Sequence, residues 1–496
     1  MARLDSKTLG SFDSLILQLK IHSAIPAEAV SEQVAGTYFH EHVHFWQSIS
    51  TTYGISSRFE SFDWIANAVR EMGGHDGLIL HGLSKPVRNG IQGHLKDHYM
   101  IDGRYPSREF DLPMGESDVG FICLNDRKAC YEYVRWNATD QTYCATPVGA
   151  HAIYENLAFV KESIIVRTEK QFGVQVKSSA PCHSMMHHYT VFTELFWNSF
   201  HKKAANGDSL IATMLAVLDA CLQIPHSPHA GHPEYIPMTN PGLRFVELFS
   251  LLHDMTFVDG KGRNFRAFID KLFEMKQWPS PSVVLEEHYR WLHPILEKHR
   301  RSATSARRRN PAKYEDYIAR RVKQVAANVY AMFGETVPAA EIDRQLKDYE
   351  NALRGSAITF CGIFGLGILD YIVRALRIRL RHPHWLVYMH KHSEKLFNEL
   401  PMPVEWFGSE QRHKPTPQSM ALFDDLQAFP HLWALTLQWE AGSRKDLICG
   451  NRYFDIPCPE EPCKAGLCPN WSTGAKAPTH TCNFTGWLHY FGLWKE

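Results

Sequence analysis

Nothing in this sequence is apolar for long enough to cross a bilayer. The longest such run, AITFCGIFGLGIL, closes at Asp370, short of the ~20 residues that a spanning helix needs. Its glycines, Gly362, Gly365 and Gly367, suit a buried and closely packed segment. An excess of one charge is missing too, with 53 basic and 53 acidic residues, so composition indicates neither a nucleic-acid partner nor a membrane surface. The opening MARLDSKTLG lacks the apolar core of a secretion signal, and the cysteines, 11 along the whole chain, form no paired framework. These absences lead to the expectation of a cytoplasmic protein in reducing surroundings. What is present is a chain of 496 residues, 44% hydrophobic and 21% charged, as expected of a globular protein with a large core and about two to four domains.

The hydrophobic pattern predicts a mainly α protein with a small β part. LILQLKI, Leu15 to Ile21, alternates like a strand, and Pro26 is expected to open a long helix. A second helix is predicted near Phe62 to Met72. A glycine- and proline-punctuated stretch over about 74–146 then holds strand-like pieces, GFICLN and YEYVRW, and reads as a mixed β/loop insertion. Helices are predicted over 147–170, 190–205, 208–223, 241–256, 281–299, 312–333 and 338–354. RRSATSARRRNP, Arg300 to Pro311, reads as an exposed linker, and the helical pattern stops near Gly442. The expected regions are 1–205, 206–300, 312–442 and a Cys-rich tail over 443–496.

The histidines, 28 in all, are numerous, and TYFHEHVHFWQS, Thr37 to Ser48, concentrates them. On a helix, His40 and His44 share a face with Gln33, Gly36, Thr37, Gln47, Ser48 and Thr51. Val34, Tyr38, Phe39, Phe45, Trp46 and Ile49 lie opposite. Between Gln33 and Ser57 the sole Asp, Glu, Lys or Arg is Glu41. A face turned to bulk water ordinarily carries several charges, so this stripe is expected to line an enclosed cleft. His40-Glu41-x-x-His44 is the HExxH pattern of metallopeptidase zinc helices. Two imidazoles one turn apart can bind one zinc, and the intervening glutamate can take a proton from the zinc-bound water. His42 points half a turn away and is expected to pack. Glu41 and His44 also form an ExxH pair, as in di-iron bundles. The other such pair, Glu410 to His413, sits between Gly408 and Pro415, a poor helical setting.

Such a zinc needs a third protein ligand, and the HExxHxxGxxH form is absent because SISTTYG follows Gln47. The best candidate is Glu155 in TPVGAHAIYENLAFVKE, a helix that Thr146 would cap and Pro147 would begin. There Ile153, Leu157, Val160 and Ile164 form the apolar face. Glu155 lies opposite with Phe159 and without lysines nearby. His151, Glu162 and Glu194 are the fallback ligands. On these residues the chain resembles the HExxH zinc metallopeptidases with a glutamate third ligand, the gluzincin type. The resemblance implies a zincin-like catalytic region over 1–205, with His40, His44 and Glu155 on one catalytic Zn2+, Glu41 as general base and a protein or peptide substrate. Because toxins and defence effectors of bacteria carry such helices, it also suggests a conditionally activated protease with a regulatory protein partner. A non-catalytic metal-binding scaffold is the competing class.

Two further stretches are candidate sites. IPHSPHAGHPEY offers His226, His229, His232 and Tyr235 as a substrate or oxyanion loop, with a plain surface loop as the alternative. In the tail, Cys458, Cys463, Cys468, His480 and Cys482 are candidate ligands for a structural zinc that would fix loops too poor in apolar residues to build a core. The C-x4-C-x4-C spacing leaves unligated thiols as the alternative.

Overall fold

The computed structural model describes residues 10–13, 18–21, 32–59, 103, 108–110, 120–125, 130–137, 142–171, 187–225, 239–309, 338–355, 366–383, 385–388, 404–407 and 410–411, with scattered single positions between 311 and 330 and beyond 398. The described chain is mainly helical, and none of its helices is long and apolar enough to cross a membrane. Strands β1 (Gly10–Asp13) and β2 (Gln18–Ile21) precede helix α1 (Glu32–Ser50). β3 (Arg108–Phe110), β4 (Gly120–Asn125), β5 (Cys130–Asn137) and β6 (Thr142–Val148) follow. Then come α2 (Ala150–Gln171), α3 (His187–Phe200), α4 (Gly207–Cys221), α5 (Pro241–Leu251), α6 (Phe265–Met275) and α7 (Pro281–Arg309). α8 (Ala339–Gly355), α9 (Leu366–Arg381), α10 (Trp385–Tyr388), β7 (Val404–Phe407) and β8 (Glu410–Gln411) complete the elements.

The strands form two small sheets. One runs β3-β6-β5-β4 and is antiparallel throughout, so the expected mixed insertion is a sheet at its described positions. The other runs β1-β2-β7-β8, with β2 parallel to β7 across nearly the whole chain.

α1 is amphipathic as its sequence predicts, but both faces are enclosed. Phe45, Trp46 and Ile49 are fully buried with Leu19 and Ile21 of β2 and with Leu369, Tyr371 and Ile372 of α9. The polar stripe packs on α2 instead, and Gln47, Ser48, Thr51 and Thr52 are buried too. Beyond α2 a second core joins α3 to α6 through Phe192, Phe196, Phe245, Phe249 and Leu218. A buried ion pair links α4 to α9, where Arg379 Nη2 donates to Asp219 Oδ1 at 2.6 Å. Burial pushes the Asp219 pKa up, and the Arg379 charge opposes that rise.

Several expectations need correction. The basic stretch after Arg300 is no linker, because α7 continues through it to Arg309. Arginine and alanine favour helix, which outweighs the linker-like composition of the stretch. Thr146 and Pro147 do not cap and open α2. Both lie in β6, paired with Tyr133 and Glu132 of β5, and the helix begins after Gly149. The expected helices do not include α6, α9 or α10, the expected strands do not include β1, and β7 and β8 are strands within the region 312–442 expected to be helical. The helix expected near 62–72 and the boundary near Gly442 lie outside the described residues.

Candidate metal centre

α1 sets His40 and His44 one turn apart, and α2 brings Glu155 to meet them. His40 Nε2 lies 3.2 Å from Glu155 Oε2, and His44 Nε2 lies 3.4 Å from the same oxygen. The two Nε2 atoms are 3.1 Å apart. Zinc bonds of about 2.0–2.1 Å at tetrahedral angles set neighbouring ligand atoms about 3.3 Å apart. The triangle therefore has the size of one face of a zinc tetrahedron. Among the described residues, this is the group of His, Cys, Asp and Glu whose ligand atoms lie close enough, within 4.8 Å, to share an ion.

The outer nitrogens of both rings are already committed. His40 Nδ1 is 3.2 Å from Glu162 Oε2, and His44 Nδ1 is 3.0 Å from Gln47 Oε1. Gln47 Nε2 in turn donates to the Tyr154 carbonyl at 3.2 Å, so it clamps α1 to α2 beside the histidine it orients. Oxygen acceptors at Nδ1 place the ring hydrogens there and leave each Nε2 with a lone pair. Two such lone pairs and a carboxylate oxygen then meet at one point. Protons or a cation have to fill it.

Without a cation, the cluster holds protons tightly. Burial opposes charge on His40, but hydrogen bonds to Glu155 and Glu162 overcome it and raise its pKa to about 10. Burial likewise opposes charge on Glu155, yet His44 and the histidine hydrogen bonds hold that carboxyl well below its usual range. A metal would replace these protons.

Glu41 stands beside the triangle and is 7% exposed. Strand β1 crosses α1 here, and a Cβ at Gly10 would come 2.7 Å from Thr37 Cγ2 and 3.2 Å from Glu41 Cγ. Only glycine lets the strand lie this close. Burial raises the Glu41 pKa, partly offset by His44 and His40. Among the described residues no side chain hydrogen-bonds its carboxylate.

The other expected participants separate clearly. His42 is fully buried on the far side, where its Nδ1 donates to the Tyr38 carbonyl at 3.1 Å and its ring packs on Tyr38 and Trp46. His151 Nδ1 is 3.5 Å from Glu155 Oε1 at the rim. Glu162 meets the outer nitrogen of His40, and Glu194 accepts from Thr190 Oγ1 at 2.8 Å; neither takes the place of Glu155. The second ExxH pair fails as a helical site, because Glu410 and Gln411 form β8. His413 lies outside the described residues, as do His226, His229, His232 and Tyr235 and also Cys458, Cys463, Cys468, His480 and Cys482.

One residue of the centre escaped the sequence reading altogether. Tyr189 of α3 packs its ring 5.8 Å from that of His40 and 6.1 Å from that of Phe159. The Glu155 charge, with burial, raises its pKa far above the ordinary tyrosine value, so it stays a neutral donor. Nothing local marks it, since only the packing of α3 on α2 brings it there. Gln47 and Glu162 were already named, one on the polar stripe and the other as a fallback ligand; they stand three residues after His44 and seven after Glu155, on the same helix faces. Comparison of the chain with protein-family models, curated proteins and solved structures yields no match.

Proposed function

We propose that the protein is a zinc-dependent metallopeptidase, with His40, His44 and Glu155 as metal ligands and Glu41 as general base. The observation that carries this reading is the convergence of three ligand atoms at tetrahedral spacing beside an enclosed carboxylate. Bound zinc supplies a Lewis acid that polarises a carbonyl and lowers the pKa of a water to about 7. The side chains supply the rest. Glu162 and Gln47 keep both Nε2 lone pairs inward. Glu41, its basicity raised by burial, takes the proton from the attacking water and returns it to the leaving amine. Tyr189, kept neutral beside Glu155, is the donor we assign to the oxyanion that develops on the substrate carbonyl. A protein or peptide substrate and a cytoplasmic setting belong to the same proposal.

A second reading has one observation in its favour. The side chains of His40, His44 and Glu155 are only 8–12% exposed, an enclosure that also suits a structural metal in a non-catalytic scaffold. Zinc-loaded protein incubated with a mixed peptide library separates the two. Cleavage that a chelator stops and added zinc restores is the expected result. A loaded protein that leaves every peptide intact would instead be the scaffold.

A further inference from the structure

The HExxH helix is broken two turns past its second histidine. α1 ends at Ser50, the chain bends at Thr51, and residues 52–59 turn helical again. The break is tied to the C-terminal end of α4 by a set of buried hydrogen bonds. Thr52 Oγ1 lies 2.8 Å from the Ile224 carbonyl and 3.3 Å from the Leu222 carbonyl. Tyr53 N–H donates to the Leu222 carbonyl at 2.9 Å, and Thr52 N–H to Gln223 Oε1 at 3.4 Å.

Both sides of this junction are anchored. On the α4 side, Arg244 donates to the carbonyls of Ala220 and Gln223. Gln223 Nε2 donates to Asp219 Oδ1 at 3.3 Å, and Arg379 holds the same carboxylate. On the α1 side, Thr51 Oγ1 donates to the Gln47 carbonyl at 2.7 Å and lies 3.3 Å from the Tyr154 hydroxyl. Gln47 is the residue that orients His44.

We infer that Thr52 and Gln223 are positioning residues for the metal centre, an inference that rests on the metal reading above. Apolar packing keeps α1 against its neighbours, but the hydrophobic effect behind it is nondirectional. Hydrogen bonds at a helix break define the axial position, because carbonyl acceptors tolerate little change in distance or angle. The triangle of His40, His44 and Glu155 depends on that position. A misplacement of about 1 Å at such a site can cost about a hundredfold in function.

Thr52→Val removes the hydroxyl and keeps the shape, and Thr52→Ser restores the hydroxyl without the methyl. Zinc affinity measured by chelator competition at fixed pH, alongside the Tm of each metal-free protein, tests the role. Thr52→Val is expected to weaken zinc binding about tenfold or more, the range seen when groups that support metal ligands are lost, and Thr52→Ser to recover it. Gln223→Met, which gives up the bond to Thr52 N–H, is the measured variant if Thr52→Val does not fold, with the same weakening expected. A variant that lowers the Tm but binds zinc as wild type does would overturn the positioning role and leave the proposed function standing. Wild-type protein that takes up no zinc would defeat both.

Discussion

Glu41→Gln is expected to keep its zinc and lose its hydrolytic activity. Glu41 is the sole formal charge between Gln33 and Ser57 and is buried beside the histidine pair. A buried carboxylate costs several kcal/mol unless something nearby repays it. His44 and His40 offset part of that cost, and a divalent ion would offset more. Glutamine preserves the side-chain shape that β1 closes over at Gly10. It also leaves all three ligand atoms in place, so folding and metal content should survive. An amide cannot accept the proton of an attacking water. General-base assistance is worth about 100-fold to 10,000-fold, and peptide cleavage should fall by that much in a single-substrate assay. A variant that cleaves at the wild-type rate would remove Glu41 from the chemistry and the peptidase reading with it.

The second large effect distinguishes a ligand from its support. Both Glu155 and Glu162 touch His40, at Nε2 and Nδ1 respectively, so composition alone cannot say which carboxylate would hold the ion. Glu155 also meets His44 Nε2, whereas Glu162 meets the ring edge facing away from it. Structural zinc sites bind with about 10–16 kcal/mol, so losing one of three protein ligands should cost about 3 kcal/mol or more. That corresponds to a loss of more than about 100-fold. Glu155→Ala is therefore expected to lose zinc at concentrations that saturate the wild type. Glu162→Ala, which frees only the outer nitrogen of His40, should weaken binding about 10-fold to 100-fold. Titration of both variants with zinc against a competing chelator measures the two losses. The reverse order would make Glu162 the ligand.

The candidate centre was largely legible because its parts are local. The spacing of His40 and His44 is a helix turn, and the absence of charge around Glu41 told that this face is enclosed. Glu155 could be chosen because it stands on a helix whose neighbouring residues offer it no lysine. The residues that complete the arrangement are of two kinds. Gln47 and Glu162 follow from helix periodicity once the ligands are known. Tyr189, Thr52 and Gln223 do not, since each reaches its place through the packing of separate helices. The fold was legible in the same uneven way. Long periodic helices such as α4 and α5 and the strand β2 were anticipated, while the pairing of β2 with β7 spans almost four hundred residues and leaves no local trace. Where a local signal misled, a stronger term overrode it. Pro147 suits a helix start, but its neighbours Tyr143, Ala145 and Val148 are buried in the pairing of β6 with β5. The arginines after Arg300 suit a solvated loop, but they also suit the helix that carries them.

The most direct measurement is anomalous diffraction at the zinc edge from crystals of the zinc-loaded protein. The expected result is a peak about 2.0–2.2 Å from His40 Nε2, His44 Nε2 and a Glu155 oxygen, with Glu41 beside it. A second peak among Cys458, Cys463 and Cys468 would be compatible with that result. Zinc-loaded crystals with no peak between α1 and α2 would contradict the metal centre and everything proposed from it.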